Sequence, residues 1–492
     1  MTIERVIKKF QENNPGVDTT SLQLAFDLAN QAHAGQIRKN GEPYIQHPLN
    51  TAYLLTEIRA DLATVVAGLL HDVPEDTPHT LEEIESLFGP EITGLVEGVT
   101  KLGKIKYRGI ERYRENLKKM FLAMASDLRV IFIKFCDRLN NLRSLENLPP
   151  DKQKRIAQET LEIYAPIAGL LGISRLKWQM EDICFKFLYP DEFHEIEYKY
   201  EVEKKVERNR FFQKVKSILT PKLAEAGIKN YEIEVRFKHL YSIFYKMQSK
   251  EKEFEEIYDV FGLRLIVPTV DDCYKSLGVI HTLWKPKPNR FKDYIAVPKP
   301  NGYRSLHTTI LGPEGKPTEF QIRTREMHEE SIYGLAAHWH YKSRRQKLDY
   351  KPPAWVDEII EIQKEITNTN EFVKNIKMDI FRDRIFVFSP KGDVFELPEN
   401  ATAVDFAYAV HTNIGNKAAG AIINDKLGRL DQKLQNGDFV EIITEKNRPY
   451  PNRDWLKFVK TKRARDRIKQ FGKQPALDRL KKFIPSGAKG KS

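Results

Sequence analysis

Two groups of residues in this chain have the types and spacing for phosphate chemistry, and they differ in kind. The first lies between residues 33 and 141. It holds His47, the run His71-Asp72-Val73-Pro74-Glu75-Asp76-Thr77, and Asp137. Two imidazoles and two carboxylates make a mixed nitrogen and oxygen donor set. Such a set suits Mn2+, iron or Zn2+ better than Mg2+, which prefers oxygen ligands. Glu75 and Asp76 follow His71 and Asp72 at four-residue spacing. On continuing helical turns they stand beside the metal face, where they could orient and deprotonate a bound water. Pro74 complicates the helix, because it lacks a backbone donor and pushes Val73 out of the helical region. A helix therefore ends or kinks here, and the acidic pair reaches the cleft from a turn. A lone His-Asp pair is usually a capping or solvated dipeptide. His47 within GEPYIQHP, Asp137 at the head of DRLNN, and Arg38 and Lys39 ready for phosphates weigh against that reading.

The second group lies between residues 236 and 340. Arg236, Lys238 and His239 precede Tyr241-Ser242, and Lys246 follows at helical spacing. Polyphosphate recognition needs such a donor cluster. Asp259 heads an apolar run, and Glu319 alternates with Thr318 and Phe320 on another. Two carboxylates on adjacent strands can hold Mg2+ over a triphosphate, and Glu319 could also serve as base on an attacking hydroxyl. From spacing alone, surface carboxylates at strand ends fit the pair equally well. Tyr303, after the Asn301-Gly302 turn, is expected to be exposed enough to stack on a base. His307 and His338, taken singly, read as structural histidines. One site that breaks a phosphoanhydride or phosphoester and another that builds one imply a nucleotide that is both made and destroyed.

The elements that position these residues fall into segments. Residues 1–195 read as helical, with apolar positions recurring at three and four (Val65, Leu69; Ile131, Phe135, Leu139). Leu148-Pro149-Pro150-Asp151 is a break followed by a helix start. Residues 195–225 read as a charged helical connector. From about 230 the period shortens, and YEIEVRF, DVFGLRLIVP, DYIAVP, LHTTILG and TEFQIRT read as strands with turns between them. Helical pieces near 240–257, 271–283 and 326–340 make this an α/β domain. Residues 343–379 read as a charged helical linker. RIFVFSP, a Lys391-Gly392 turn, DVFELP, a helix near 402–411, AGAIIN and DFVEIIT form a small β-grasp-like module over 381–445.

A chain of 492 residues is too long for one core and suggests roughly three domains. No run of apolar residues is long enough to span a membrane, and MTIERVIKKFQENN has no apolar signal segment. Cys136, Cys184 and Cys273 lie far apart and fit neither zinc spacing nor a disulfide framework, so the expectation is a reducing cytoplasm without membrane association. The net charge of +12 is uneven: Lys446–Ser492 holds sixteen Lys/Arg against three Asp, which leaves the rest of the chain near neutral at −1. Basic character that hints at nucleic acid is thus a property of the tail, where Trp455, Phe458 and Phe471 are available to stack or dock.

Several runs resemble the long Rel family, the bifunctional (p)ppGpp synthetase/hydrolases of the bacterial stringent response. They include AHAGQIRKNGEPYIQHP, HDVPEDT, DRLNNLR, RFKDYIAVPKPNGYRSLHTT, EFQIRTREMHEESIYGLAAHWHYK and SPKGDVFELPENATAVDFAYAVHTNIGNKAAGA. The resemblance implies a multidomain chain: an all-α HD-type hydrolase over 1–195, an α/β nucleotidyltransferase-like synthetase over 196–342 that begins with the connector, the linker over 343–379, a β-grasp TGS domain over 380–445, and a basic helical tail over 446–492. It implies removal of the 3′-pyrophosphate of ppGpp or pppGpp with Mn2+ held by His47, His71, Asp72 and Asp137. Glu75 and Asp76 would be catalytic, and Arg38, Lys39 and Asn141 would hold the nucleotide. The synthetase would move pyrophosphate from ATP to the 3′-hydroxyl of GDP or GTP, with Asp259 and Glu319 serving Mg2+ and the hydroxyl. Tyr303 would stack on guanine. Arg236, Lys238, His239, Ser242, Lys246, Arg264, Arg290, Lys292, Lys299, Asn301 and His307 would complete the nucleotide contacts. His411 lies in a segment that resembles the part of the TGS domain that meets uncharged tRNA, so tRNA and the ribosome are expected partners. The chain departs from the family pattern at Pro74, Asn140 and Gly169-Leu170 in the hydrolase half and at Phe237 and Arg304 in the synthetase. The resemblance ends before the family's zinc-finger-like and ACT-type modules. Two alternatives stay open: a synthetase with a weak hydrolase, and a regulator that chiefly binds tRNA or the ribosome.

Overall fold

The computed structural model describes residues 1–103, 126–200, 205–251, 253–257, 261–299, 301–334, 384–390, 393–435, 437–445 and 450–471, with single positions at 119, 120, 123 and 448. They belong to two compact units, Met1–Lys364 and Glu365–Ser492.

The first unit begins with helices α1 (Ile3–Asn13), α2 (Thr20–Ala32), α3 (Gln46–Glu57), α4 (Leu62–Leu70), α5 (Val73–Asp76) and α6 (Leu81–Gly103), followed by α7 (Leu128–Arg143). LATVVAGLL is apolar on every side, and α4 is accordingly buried from Thr64 to Leu70 between its neighbours α3 and α7. The Asp61 carboxylate caps α4 by accepting the Thr64 N–H at 2.8 Å. The helix stops at Leu70. Pro74 then sits near the start of the one-turn α5, where its missing N–H leaves no bond unmade. The Glu75-Asp76 pair therefore comes from a short turn, as Pro74 led us to expect. The break at Leu148-Pro149 and the helix α8 (Pro150–Glu159) are also as expected. A π-helical turn, Thr160–Tyr164, leads into α9 (Ala165–Leu170), α10 (Ser174–Leu188) and α11 (Pro190–Tyr198).

The second half of this unit is a five-stranded sheet in the order β1-β2-β5-β4-β3. Its strands are β1 (Glu232–Phe237), β2 (Phe261–Val267), β3 (Pro286–Asp293), β4 (Leu306–Leu311) and β5 (Pro317–Thr324), and only β2 and β5 run parallel. Alternate residues turn Leu263, Leu265, Val267, Leu306, Ile310, Phe320 and Ile322 into one core face. Helices α12 (Lys205–Glu225) and α14 (Val270–Leu283) cover it, and α13 (Leu240–Lys250) and α15 (Arg325–Tyr333) complete the fold. Two sequence expectations need correction. Residues 195–225 are no mere connector, because Phe211, Val215, Leu219 and Leu223 form a four-residue stripe of α12 buried in the core. DYIAVP is a turn, not a strand. The Asp293 carboxylate accepts the N–H groups of Ile295 at 2.9 Å and Ala296 at 2.8 Å, and that local pairing replaces a ladder.

The helical and sheet halves share a core: Phe185 and Phe193 pack with Ile243, Phe244 and Phe254. Trp178 of α10 stacks on His239, with ring centres 4.5 Å apart and planes 3° apart. Asp182 of α10 accepts the Tyr241 N–H at 2.9 Å at the start of α13. Arg59 forks onto Glu329 at 2.9 and 3.2 Å.

In the second unit β6 (Arg384–Phe388) pairs with β7 (Val394–Pro398). After α16 (Ala403–Val410) and α17 (Thr412–Lys417), strands β8 (Ala418–Ile423), β9 (Lys426–Gly428) and β10 (Val440–Thr444) pair in the order β10-β8-β9. The expected linker over 343–379, the Lys391-Gly392 turn and His338 lie outside the described residues. The first part of the basic tail is docked. A 3-10 turn (Arg453–Lys457) and α18 (Lys462–Phe471) bury Trp455, Val459, Ala464 and Ile468 against α16. Asp405, fully buried, ties them down by accepting the Lys460 and Thr461 N–H groups at 2.9 and 2.7 Å and the Thr461 hydroxyl at 2.8 Å.

Burial lifts the Asp182 carboxyl to about 6, so it holds its proton more tightly folded than unfolded. Folding is thus favoured as pH falls through 6 toward the ordinary carboxylate range, and that share of stability is lost above 6. We expect Asp182→Asn, which keeps the acceptor oxygen, to flatten this part of the pH dependence of the unfolding midpoint between pH 5 and 8. An unchanged difference between variant and parent across that range would remove Asp182 from the interface account.

Candidate active sites

At the first site three helices deliver one cluster. His47 comes from the first turn of α3, His71 from the end of α4, Asp72 from the junction to α5, and Asp137 from the middle of α7. His47 Nε2 lies 3.3 Å from both Asp72 Oδ2 and Asp137 Oδ1, and His71 Nε2 lies 3.2 Å from Asp72 Oδ1. The donor atoms of His47, His71 and Asp137 all fall within 4.8 Å of one another, and the three residues are buried. His71 Nδ1 donates to the Gly68 carbonyl at 2.9 Å, which leaves Nε2 as the lone-pair nitrogen. That nitrogen is buried without a hydrogen-bond partner. An orphaned imidazole lone pair between two carboxylates is what a divalent cation would satisfy, and the donor set fits one.

The expected neighbours are in place. Arg38 donates to Asn141 Oδ1 at 3.0 Å, and Asn141 Nδ2 donates to Asp137 Oδ1 at 2.6 Å, so two predicted nucleotide contacts are wired to a cluster carboxylate. Lys39 is exposed beside Arg38. Glu75 opens to solvent at the rim, yet one side faces the cluster; this partial desolvation raises its carboxyl, against the pull of Lys134. Three residues were not singled out as parts of the site. The Tyr44 hydroxyl lies 2.7 Å from Asp76 Oδ2 and 3.0 Å from Asp72 Oδ2. Lys134 donates to Asp137 Oδ2 at 2.8 Å. Burial alone would raise the Asp137 carboxyl, but Lys134 and the imidazoles hold it well below the usual range. Asn140 Nδ2 sits 2.6 Å from His47 Nδ1. Lys134 was readable in principle, three residues before Asp137 on one helix face; Tyr44 needs the fold.

The second site is the polar face of the sheet. Register sets Arg236, Gly262, Glu319 and Thr309 side by side across β1, β2, β5 and β4. The next row holds Glu234, Arg264, Gln321, His307 and Lys292. Gly262 matters because a Cβ there would come within 2.9 Å of the Glu319 carbonyl oxygen. Burial would raise the Glu319 carboxyl, but His307 at 3.2 Å and Arg236 lower it to about 2. Burial lowers His307 to about 4, so its ring is neutral near pH 7. Arg264 pairs with Glu234 at 3.1 Å.

Some predicted contacts sit differently from expectation. Asp259 and Pro300 lie outside the described residues. Tyr303 is half-buried, not open: its hydroxyl meets His307 Nε2 at 2.8 Å and accepts from Arg323 at 2.6 Å, and that guanidinium lies 5.0 Å from the ring centre. His239 gives its ring to Trp178, and burial lowers it to about 4. Asn301 Nδ2 donates to the Gly169 carbonyl of α9 at 3.2 Å, so this residue spans the two halves. Lys299 stands 4.9 Å from the Tyr294 ring centre. Ser242 and Lys246 share a face of α13, and Arg290 and Lys292 stand exposed on β3. Arg323 and Gln321 were missed, although period-two alternation from Glu319 points to both.

Residues 25–174 match the family described as HD domain, 235–346 the region found in RelA / SpoT proteins, and 385–444 the TGS domain. The chain is 46% identical over 477 residues to a GTP pyrophosphokinase of Myxococcus xanthus, covering 96% of this chain and 63% of the relative. It is 45% identical over 483 residues to a guanosine-3′,5′-bis(diphosphate) 3′-pyrophosphohydrolase of Aquifex aeolicus, covering 97% and 68%. It is 46% identical over 463 residues to the bifunctional (p)ppGpp synthase/hydrolase SpoT of Escherichia coli, covering 93% and 65%. The chain belongs to the long RelA/SpoT family, with an HD domain, a RelA/SpoT synthetase-type domain and a TGS domain in that order. It spans 58–63% of the length of the Myxococcus, Synechocystis and Streptomyces coelicolor relatives. No helix among the described residues is long and apolar enough to cross a membrane.

Gly262→Ala should force β2 from β5 and destabilise the first unit by about 1–3 kcal/mol, the usual scale of overpacking. Gly278→Ala, where a Cβ meets nothing within 4 Å, is the control and should be neutral or stabilising. Urea denaturation of both variants checks this; equal midpoints would show that the strand spacing is not tight.

Proposed function

We propose that this chain is a bifunctional alarmone enzyme that makes (p)ppGpp from ATP and GDP or GTP and also removes its 3′-pyrophosphate. The observation that carries this reading is the presence, in one compact unit, of two separate constellations. One is a buried His/Asp cluster with an unsatisfied nitrogen; the other is a sheet face that holds Glu319 ionised beside Arg236 and the donors of His307 and Gln321.

At the first site His47, His71, Asp72 and Asp137 would hold Mn2+, which would supply Lewis acidity and lower the pKa of a bound water. Glu75, its carboxyl raised, and Asp76, oriented by Tyr44, stand at the rim to take and return the proton. Arg38 and Asn141 would bind the nucleotide phosphates beside the cluster. At the second site Glu319 would accept the proton of the 3′-hydroxyl as that oxygen attacks the β-phosphorus of ATP and AMP departs. Asp259 and Glu319 would serve Mg2+, while Arg236, Lys238, Ser242 and Lys246 would bind the polyphosphate. Tyr303 would meet the guanine base. Locating both reactions in a reducing cytoplasm is part of the same reading.

One observation favours a weak hydrolase as the second reading. Asn140 Nδ2 donates to the His47 carbonyl at 3.2 Å, and the same nitrogen faces His47 Nδ1. A donor there leaves the ring proton on Nε2, the atom a metal needs. Hydrolysis would then require the amide to turn.

The TGS unit is the proposed contact for uncharged tRNA and, through it, the ribosome. His411 is exposed between α16 and α17, where its Nδ1 accepts the Asn413 N–H at 3.2 Å. Because α18 is part of the core of this unit, deleting the chain from 462 onward would unfold it. The informative deletion is 472–492.

Asp72→Ala should abolish ppGpp hydrolysis and spare pyrophosphate transfer. Glu319→Gln should cut transfer by at least about 100-fold, the scale of a positioned acid or base, and spare hydrolysis. Product analysis of both variants decides it, and loss of both activities in either one would refute separate sites. Parent hydrolysis far slower than transfer with saturating Mn2+ would select the weak hydrolase. For RNA, deletion of 472–492 should flatten the salt slope of deacylated tRNA binding, and His411→Ala should weaken binding with the slope intact. No binding at low salt would refute the RNA contact.

A further inference from the structure

Arg323 is a buried cation that no predicted role explains. It is 1% exposed, and no carboxylate hydrogen-bonds to it among the described residues. Its Nη1 donates to Ser331 Oγ at 2.7 Å, and its Nη2 donates to both the Tyr303 hydroxyl and Gln321 Oε1 at 2.6 Å.

A guanidinium only donates and an ionised carboxylate only accepts, and the two ends together fix the polarity of the bonds between them. Along one arm, the Tyr303 hydroxyl accepts from Arg323 and keeps its own proton for a second bond to His307 Nε2, 2.8 Å away. His307 Nδ1 faces the ionised Glu319 carboxylate, 3.2 Å from Oε1, so the proton of the neutral ring sits on Nδ1 and Nε2 accepts from Tyr303. Along the other arm, Gln321 must turn its oxygen to Arg323, so its Nε2 donates to Glu319 Oε1 at 3.2 Å. Neither assignment depends on a freely chosen tautomer or amide flip, because the donor-only guanidinium decides the amide and the acceptor-only carboxylate decides the ring. The two arms leave one residue and converge on one oxygen. Neither touches Oε2.

We propose that Arg323 is a positioning residue of the synthetase-type site, acting through Tyr303–His307 and through Gln321 to saturate Glu319 Oε1 and present Oε2 to the acceptor hydroxyl. This rests on the synthetase reading above and deepens it. Tyr303 has a second task beside its ring: the hydroxyl couples the base-stacking position to the carboxylate. A ring that only stacks would tolerate loss of that hydroxyl.

Tyr303→Phe keeps the ring and cuts one arm. The expected result is a KM for GDP within about twofold of the parent and a kcat for pyrophosphate transfer lowered about tenfold, the equivalent of one lost positioning hydrogen bond. Tyr303→Leu should in addition raise KM. A kcat of Tyr303→Phe within about twofold of the parent, whatever KM does, overturns the proposal. The second measurement needs no turnover: 15N NMR of histidine-labelled protein should show His307 as a neutral Nδ1–H ring in the parent, and Tyr303→Phe should release that single tautomer. An Nε2–H ring in the parent overturns the relay. If the parent makes no (p)ppGpp while His307 shows the expected tautomer, the synthetase reading fails and the hydrogen-bond network stands.

Discussion

Helix α10 packs both on α7, which carries Asp137, and on α13, which carries Ser242 and Lys246. Its two stripes serve different halves of the first unit. Leu176, Met180 and Cys184 are buried, Cys184 against Thr160 of the helical half, while Trp178, Asp182 and Phe185 face α13 and the sheet half. Side chains at four-residue spacing on one rod cannot move independently, so a shift of α10 is felt on both faces. The start of α13, with Ser242 and Lys246, is therefore set partly by the helical half. Asn301 reaching Gly169 and Arg59 pairing with Glu329 add polar ties.

The two sites solve opposite electrostatic problems. At the first, imidazoles and carboxylates are driven together by three packed helices, and His71 Nε2 is left without a hydrogen-bond partner. That arrangement is costly until a cation fills it. At the second, the charges are spread along a sheet face at strand spacing, and Glu319 is held ionised by hydrogen-bond donors already in the protein. Gly262 leaves the face open between Arg236 and Glu319, so a ligand has room where a side chain would otherwise stand.

Much of this was legible in the sequence. Residue type, spacing and the family resemblance together pointed to His47, His71, Asp72 and Asp137, and the fold brings the four side by side. Period-two runs located β1, β2, β4 and β5. What escaped was hidden by charge or by local competition. The buried stripe of α12 lies among lysines and glutamates, so it read as a connector. DYIAVP looked extended until the Asp293 side chain claimed its backbone. The tail's aromatic residues read as available to stack or dock, but not what they dock on: Asp405 holds the first part of the tail in a core that joins segments more than fifty residues apart. The partners of the Tyr303 hydroxyl were not legible, because Arg323, twenty residues on, comes beside it only through the fold.

Both reactions handle the same pyrophosphate group, which offers one direct test of the account. Protein given Mg2+, GDP and ATP labelled at the γ-phosphate should pass the label into ppGpp. After the ATP is removed and Mn2+ added, the same protein should release that label as intact pyrophosphate. Label that appears as orthophosphate, or label that stays in ppGpp through the Mn2+ step, would contradict an enzyme that builds and dismantles one nucleotide at two sites.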